Sequence, residues 1–244
     1  MSTNPVRAAR EESGASAQAA PVVRFDQVSL IRGPDTFALR SASFALAPGS
    51  FHMLTGPGGS GKSSLLRLIA LAERPTQGVA QIFGRDVATL SRKDKAQTRR
   101  RIGSVLYPAV FLDHLSVWDN AALAPRVTDR DPRAYEGEVD AVLKWLGLAK
   151  LAGALPADLS AADRHRLAIA RAVIGRPEIL LVDEPAGGLE PASRERALKL
   201  VKEIHAAGAT VVMVSGDDVF AVASGYPLIR LQEGRASLTE PDSR

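Results

Sequence analysis

Apolar and polar residues change places along this chain in a way that separates strands from helices. From Val22, V-V-R-F-D-Q-V-S-L-I alternates as a half-buried strand does, and the turn residues Arg32-Gly33-Pro34-Asp35 follow it. F-A-L-R-S-A-S-F-A-L at 37–46 predicts a second strand, and Pro48-Gly49 turns the chain into the short buried strand Phe51–Leu54. Ser63 to Leu71 (S-S-L-L-R-L-I-A-L) predicts the first helix. Pro75-Thr76-Gln77-Gly78 then turns into V-A-Q-I-F at 79–83, and Gly84-Arg85-Asp86 closes a hairpin. An antiparallel sheet piece is therefore expected beside the strand at 51–54.

The second half has longer helical periods. Ser91 to Arg101 reads as a basic helix ending in Arg99-Arg100-Arg101, and Ile102–Leu106 as a buried strand. A solvated face, with positive charge favourable at the helix C-terminus, is the simpler reading of those arginines; attraction to anionic lipid is the alternative. Residues 107–175 are predicted mostly helical. Within them Asp131-Pro132 starts a helix with Val139, Val142, Leu143 and Leu146 on one face, stopped by Gly147. Trp145 is assigned to the core. Leu159 to Asp163 precedes a helix at 164–174, with Ser160 and Asp163 spaced as a capping box, and His165 beside arginines is expected to be solvated. The apolar run Ile179–Val182 predicts a strand buried on both faces, as in a parallel sheet. Glu190-Pro191 opens a helix with Leu198, Val201 and Ile204 inward. A-T-V-V-M-V-S at 209–215 is another buried strand, and 227–238 a hairpin about Glu233-Gly234.

Composition narrows the class. A chain of 244 residues with 45% hydrophobic content suits one α/β domain with a sizeable core. A net charge of +4 is too small to imply nucleic acid, and the absence of cysteine removes disulfides, thiol catalysis and thiolate metal sites. No apolar run approaches the roughly 18 residues of a membrane span, and Glu11-Glu12 interrupts an N-terminus that lacks a signal-peptide core. A cytoplasmic protein is expected, with residues 1–20 as a disordered tail and 21–240 as the domain.

Two stretches carry chemistry. Gly56-Pro57-Gly58-Gly59-Ser60-Gly61-Lys62-Ser63 fits G-x-x-x-x-G-K-[ST], set between a predicted strand and a predicted helix. A triphosphate needs many donors close to it, and glycines let backbone N–H groups approach. Lys62 would reach the β- and γ-phosphates, the Ser63 hydroxyl would sit on Mg²⁺, and the helix N-terminus would add its dipole. Glu178 to Pro185, E-I-L-L-V-D-E-P, places Asp183 and Glu184 at the C-terminal end of a buried strand, where open α/β sheets bind ligands. Asp183 would support the metal, and Glu184 would orient or deprotonate water. Simply solvated strand-end carboxylates are the competing reading, weakened by the phosphate loop upstream.

The order phosphate loop, helical insert, L-S-x-x-[DE] at a helix start, then apolar-D-E-P resembles the nucleotide-binding subunit of an ABC transporter over residues 22–238. A soluble P-loop kinase or DNA-repair ATPase fits the core but not the Leu159-Ser160…Asp163 helix or the L-R-L-I-A run. Within the superfamily the chain is most similar to the cell-division ATP-binding subunits of the FtsE type, then to the lipoprotein-release and macrolide-export ATPases. The stretches that carry this include Glu73-Arg74-Pro75, Arg100-Arg101-Ile102-Gly103, Val117-Trp118-Asp119-Asn120 and Ile169-Ala170-Arg171-Ala172-Val173.

The resemblance implies a P-loop NTPase (RecA-like) α/β core with an antiparallel β subdomain and a helical subdomain at about 107–175. It implies ATP and Mg²⁺ held by Gly56, Pro57, Gly58, Gly59, Ser60, Gly61, Lys62, Ser63 and Ser64, with Asp183 on the metal and Glu184 as catalytic base. It also implies a head-to-tail homodimer in which Ser160 faces the γ-phosphate on the other subunit. The implied partner is an integral membrane subunit of the FtsX permease type, with this chain peripheral on the inner membrane face. In the family, that partner docks between core and helical insert. Tyr107-Pro108-Ala109-Val110-Phe111-Leu112 is the apolar stretch assigned to the docking, with filling of the insert's own core as the alternative.

Several positions depart from the family pattern. Ala161-Ala162 replaces two signature glycines, Tyr107 stands where a glutamine contacts Mg²⁺ and water, and Gly216 where a histidine bonds the γ-phosphate. Arg32 falls where an aromatic stacks on adenine, though Phe37 can serve, and the loop after the D-E pair ends Leu189-Glu190 rather than Leu-Asp. Two functional classes follow: an ATPase whose cycle moves a membrane partner, and a binding module in which ATP sets the dimer-competent state with little or no turnover.

Overall fold

The computed structural model describes residues 20–34, 36–106, 109–127, 130–183 and 191–239. The expected tail therefore lies almost wholly outside the described residues.

The first alternating segments form β1 (Val23–Gly33) and β2 (Thr36–Leu46), followed by β3 (Phe51–Thr55), α1 (Lys62–Ile69), β4 (Gln77–Ile82) and β5 (Arg85–Asp86). Then come α2 (Arg92–Arg99), β6 (Ile102–Val105), α3 (Val117–Ala121), α4 (Leu123–Arg126), α5 (Pro132–Trp145) and α6 (Ala161–Val173). The chain closes with β7 (Ile179–Val182), α7 (Pro191–Ala206), β8 (Thr210–Val214), α8 (Asp218–Ala223), β9 (Leu228–Gln232) and β10 (Arg235–Thr239). Helix starts follow the capping chemistry. Ser91, Ser116 and Ser160 each accept from the backbone N–H three residues on, and Asp131 caps α5 with Pro132 at its first position. Because Ser160 is a true cap, α6 begins at Ala161, three residues before the start expected from its apolar period.

Two sheets share the core. One is antiparallel, ordered β2-β1-β4-β5; the other is ordered β10-β9-β3-β8-β7-β6, with β9, β3, β8, β7 and β6 mutually parallel and β10 antiparallel on the edge. Strand alternation divides the interior. Leu180 and Val182 of β7 face a layer containing α5, α6 and Val201 of α7. Ile179 and Leu181 face the other way, with Leu65, Leu66, Leu68 and Ile69 of α1 and the inner side of the antiparallel sheet. The strands with continuous apolar runs are the central ones, as burial on both faces requires.

Three expectations are corrected. Trp145, at the C-terminal end of α5, is 45% exposed rather than in the core, because Leu143 and Leu146 already fill the inward face. His165 is not solvated: its Nε2 is buried without a hydrogen-bond partner among the described residues, and burial lowers its pKa. Phe111 is 8% exposed and belongs to the core cluster, whereas its neighbours Val110 and Leu112 are 75% and 42% exposed.

One core position carries a pH prediction. His52 of β3 is only 5% exposed, its Nδ1 has no partner, and burial pushes its pKa from 6.5 down to about 4. A folded value below the unfolded one means the unfolded chain binds the extra proton. Above pH 6.5 the ring is neutral in both states and adds no pH-dependent cost, and stability falls as pH drops through 6.5 toward 4. The full loss is at most about 3 kcal/mol. His52→Leu is expected to flatten that part of the stability–pH profile in denaturant unfolding; parallel profiles for both proteins are the contrary result.

Candidate functional site

β3 ends at Thr55, and the glycine-rich segment that follows turns directly into α1. Two of its glycines are fixed by sterics. Gly56 has φ +142°, and a Cβ there would lie 2.1 Å from the Leu231 carbonyl oxygen; Gly61 has φ +108°, and a Cβ would lie 2.0 Å from the Ala38 oxygen. The loop is thus wedged between β9 on one side and the β1–β2 hairpin on the other. Gly58 and Gly59 contrast with these: a Cβ on either meets nothing within 4 Å, so this part of the loop opens outward.

The polar side chains of the loop are arranged for an anionic guest. Lys62 Nζ donates to the carbonyl oxygens of Gly56 and Pro57, at 2.6 and 2.9 Å, so the cation is folded across the loop onto neutral acceptors. Ser60 is 5% exposed, and its hydroxyl is buried with no partner among the described residues. A buried polar atom of that kind is costly unless something satisfies it. Ser63 is exposed and Ser64 half-buried in the first turn of α1, whose leading N–H groups have no acceptor within the helix. An open cradle, a lysine on weak acceptors and an orphaned hydroxyl together fit a polyphosphate.

A third wall was not legible in the sequence. Arg32, at the end of β1, makes a forked contact to Glu73 at 2.6 and 2.7 Å and reaches Ser64 Oγ at 3.5 Å. Phe37 lies across the hairpin, with the Arg40 guanidinium 4.4 Å above its ring. Glu73 had been noted only as part of a resembling stretch. The 41-residue separation from Arg32 hides the pairing, and no local period marks it.

The carboxylate end of the site comes from β7. Because β8 lies between β3 and β7, Asp183, Ser215 and the phosphate loop all follow the same ends of adjacent parallel strands. Asp183 N donates to Val105 O at 2.8 Å, and Ser215 N to Leu54 O at 3.0 Å, which ties these strand ends together. Gly216 is exposed at that junction and offers no side chain. Asp217 is occupied as the cap of α8, accepting from Phe220 N at 3.1 Å. Among the described residues no cluster of three or more His, Asp or Glu could cage a metal. Ser63 and Asp183 are oxygen donors of the kind Mg²⁺ uses when phosphates complete its shell. Tyr107, Glu184, Leu189 and Glu190 lie outside the described residues.

Ser160 is not brought to the loop within one chain. Its hydroxyl accepts from Asp163 N at 3.1 Å and donates to the Asp163 carboxylate, which in turn pairs with Arg166; Arg166 also donates to Leu146 O at 3.1 Å. The residues at 161 and 162 are alanines in the first turn of the helix.

Comparison with known proteins agrees with this geometry. The family model described as ABC transporter matches residues 39–187. The cell division ATP-binding protein FtsE of Escherichia coli K12 is 34% identical over 213 residues, covering 87% of this chain and 96% of that protein. FtsE of Mycobacterium tuberculosis is 35% identical over 198 residues, covering 81% and 86%. The dimeric, post-hydrolysis structure of the ATP-binding cassette MJ0796, bound to ADP and Pi, superposes with a TM-score of 0.82 at 27% identity, covering 91% of this chain and 100% of that one.

Proposed function

The chain belongs to the ABC transporter family of ATP-binding proteins, and from that premise we propose that it is the ATP-binding subunit of a membrane complex of the FtsE type, acting in cell division beside an FtsX-like permease. The observation that carries the reading is the phosphate loop: an open Gly58–Gly59 cradle, an orphaned buried Ser60 hydroxyl and a Lys62 parked on two carbonyls.

In this reading the backbone of Gly56, Pro57, Gly58, Gly59, Ser60 and Gly61 surrounds the phosphates. Lys62 exchanges its carbonyl acceptors for phosphate oxygens, and Ser64 contacts the phosphate chain. Bound Mg²⁺, held through Ser63 and Asp183, would neutralise charge between the phosphates. Glu184 is the base for the attacking water. Ser160 of a second copy completes the site in a head-to-tail homodimer; the dimeric MJ0796 structures support this arrangement.

Turnover is proposed to be slow. Gly216 supplies no side-chain donor at the end of β8, between β3 and β7, Tyr107 replaces a glutamine, and the methyls of Ala161 and Ala162 stand in the helix turn that would meet phosphate. The second reading, a hydrolysing subunit of a lipoprotein-release or macrolide-export transporter, is favoured by the retained Asp183-Glu184 pair. Among the described residues no helix is long and apolar enough to cross a membrane. A membrane role therefore rests on a partner, with this chain peripheral on the inner face.

Within the segment proposed for docking, burial separates the side chains. Phe111 fills the core, so a substitution there tests stability; Val110 and Leu112 are the exposed apolar side chains of the same segment. Val110→Asp with Leu112→Asp is expected to abolish cofractionation with membranes carrying a co-expressed FtsX-like partner, while Mg-ATP affinity and melting temperature stay at wild-type values. Unchanged cofractionation in a folded double variant contradicts the docking assignment.

A further inference from the structure

The arginines around the end of α2 are not absorbed by the nucleotide site. β6 is the outer strand of its sheet, and among the described residues its outer edge has no strand partner. Beside that edge lies a cavity of about 490 Å³, bounded by the end of α2, by α4 and by the last turns of α6. Four arginines line it: Arg99, Arg100, Arg130 and Arg171. No Asp or Glu is among its lining residues within the described part of the chain.

The guanidinium groups differ in how they are satisfied. Arg130 is paired with Glu138, which also accepts from Arg176. Arg99 Nε reaches the Ala70 carbonyl at 3.3 Å, and the exposed Arg100 has no side-chain partner among the described residues. Arg171 is the informative one. It is half-buried, donates to Val110 O at 2.6 Å, lies 5.1 Å over the Phe111 ring, and has no carboxylate partner among the described residues. Burial lowers its pKa: the charge is partly withdrawn from water and met by a carbonyl and a ring rather than by a carboxylate. Two features oppose an anion here: the Glu138 carboxylate and the C-terminal turn of α6, whose carbonyl end is partly negative. Four guanidiniums against one shared carboxylate leave the balance positive.

We propose that this arginine-lined cavity beside the β6 edge binds a phosphate-bearing anion, at a site separate from the phosphate loop. The chemistry is specific to guanidinium. Planar forks take phosphate oxygens in pairs, and no lysine lines the cavity. The apolar lining from Pro125 and Val127, the latter 56% exposed, suits an anion that carries some hydrocarbon, such as a lipid headgroup with its glycerol; a soluble phosphate is the other source.

The test uses purified full-length chain carrying Lys62→Ala, so that the phosphate loop does not dominate the signal. Inorganic pyrophosphate is titrated by calorimetry without Mg²⁺, and sedimentation is measured with phosphatidylglycerol and phosphatidylcholine vesicles. At least one probe should bind, and adding Arg99→Gln with Arg100→Gln should weaken it at least tenfold at unchanged melting temperature. Arg171→Gln should do the same if it folds; if it does not, the exposed pair decides. Sedimentation with phosphatidylglycerol vesicles alone identifies a lipid headgroup, and pyrophosphate binding alone a soluble anion. No binding of either probe, or binding unchanged by the arginine substitutions, overturns the site. Because the phosphate loop is weakened equally in every protein compared, the effect of the arginine substitutions stands apart from the ATP-binding reading.

Discussion

Gly216→His combined with Tyr107→Gln is expected to raise steady-state ATP turnover by about 10²-fold over the wild type. The argument is positional. β8 lies between β3, which feeds the phosphate loop, and β7, which leads into Asp183, so residue 216 follows the strand end between the two. Glycine there provides no side-chain donor for charge that develops on the γ-phosphate. One preorganised donor is worth about 3–4 kcal/mol at an active site, or roughly 10²–10³ in rate, and restored groups that act together do not add. The repaired protein should also become sensitive to Glu184→Gln, a substitution that changes the wild type little. Phosphate release by all four proteins at saturating Mg-ATP checks this. Equal turnover before and after repair means these positions do not limit the rate.

Lys62→Ala is expected to weaken Mg-ATP binding at least tenfold. The Nζ rests on Gly56 O and Pro57 O, so the cation already lies over the loop and moves little to meet phosphate. A charge-assisted hydrogen bond contributes about 1.5–3 kcal/mol, which sets the tenfold floor. The substitution removes the two loop contacts as well, but the half-buried side chain is not core, and melting temperature should change little. Calorimetry that gives equal affinities for the two proteins removes the phosphate loop from the account.

How much was legible in the sequence follows from which interactions are local. The loop residues at 56–63 were readable because glycines and the Lys-Ser pair fall at fixed local spacings, and the cap Ser160 because a cap and the N–H that donates to it are three residues apart. The buried strands β7 and β8 were readable from unbroken apolar runs. Their neighbours were not: Gly49 N bonds Thr210 Oγ1 across 161 residues, and nothing local announces such a pairing. α8 was missed because Asp217 begins a helix of only six residues, too short for a period.

Within Val110-Phe111-Leu112 the sequence shows three apolar residues and no register. The fold decides that Phe111 turns inward under Arg171 while its neighbours face out. The same limit applies at Trp145 and His165: helical spacing marks a face but not which helix covers it. Around the candidate site, Arg32 was noticed as a departure from the family pattern, yet its fork to Glu73 and its reach to Ser64 needed the β1–β2 hairpin to be folded over the loop.

The central proposal is a chain that holds ATP in a complete phosphate loop and hydrolyses it slowly. Steady-state phosphate release by the purified wild-type chain, under Mg-ATP concentrations shown by calorimetry to saturate it, tests this most directly. The predicted rate lies below about 0.1 s⁻¹, roughly 10² under the usual enzyme median of about 10 s⁻¹, and is little changed by Glu184→Gln. A wild-type rate near that median, abolished by Glu184→Gln, would contradict it.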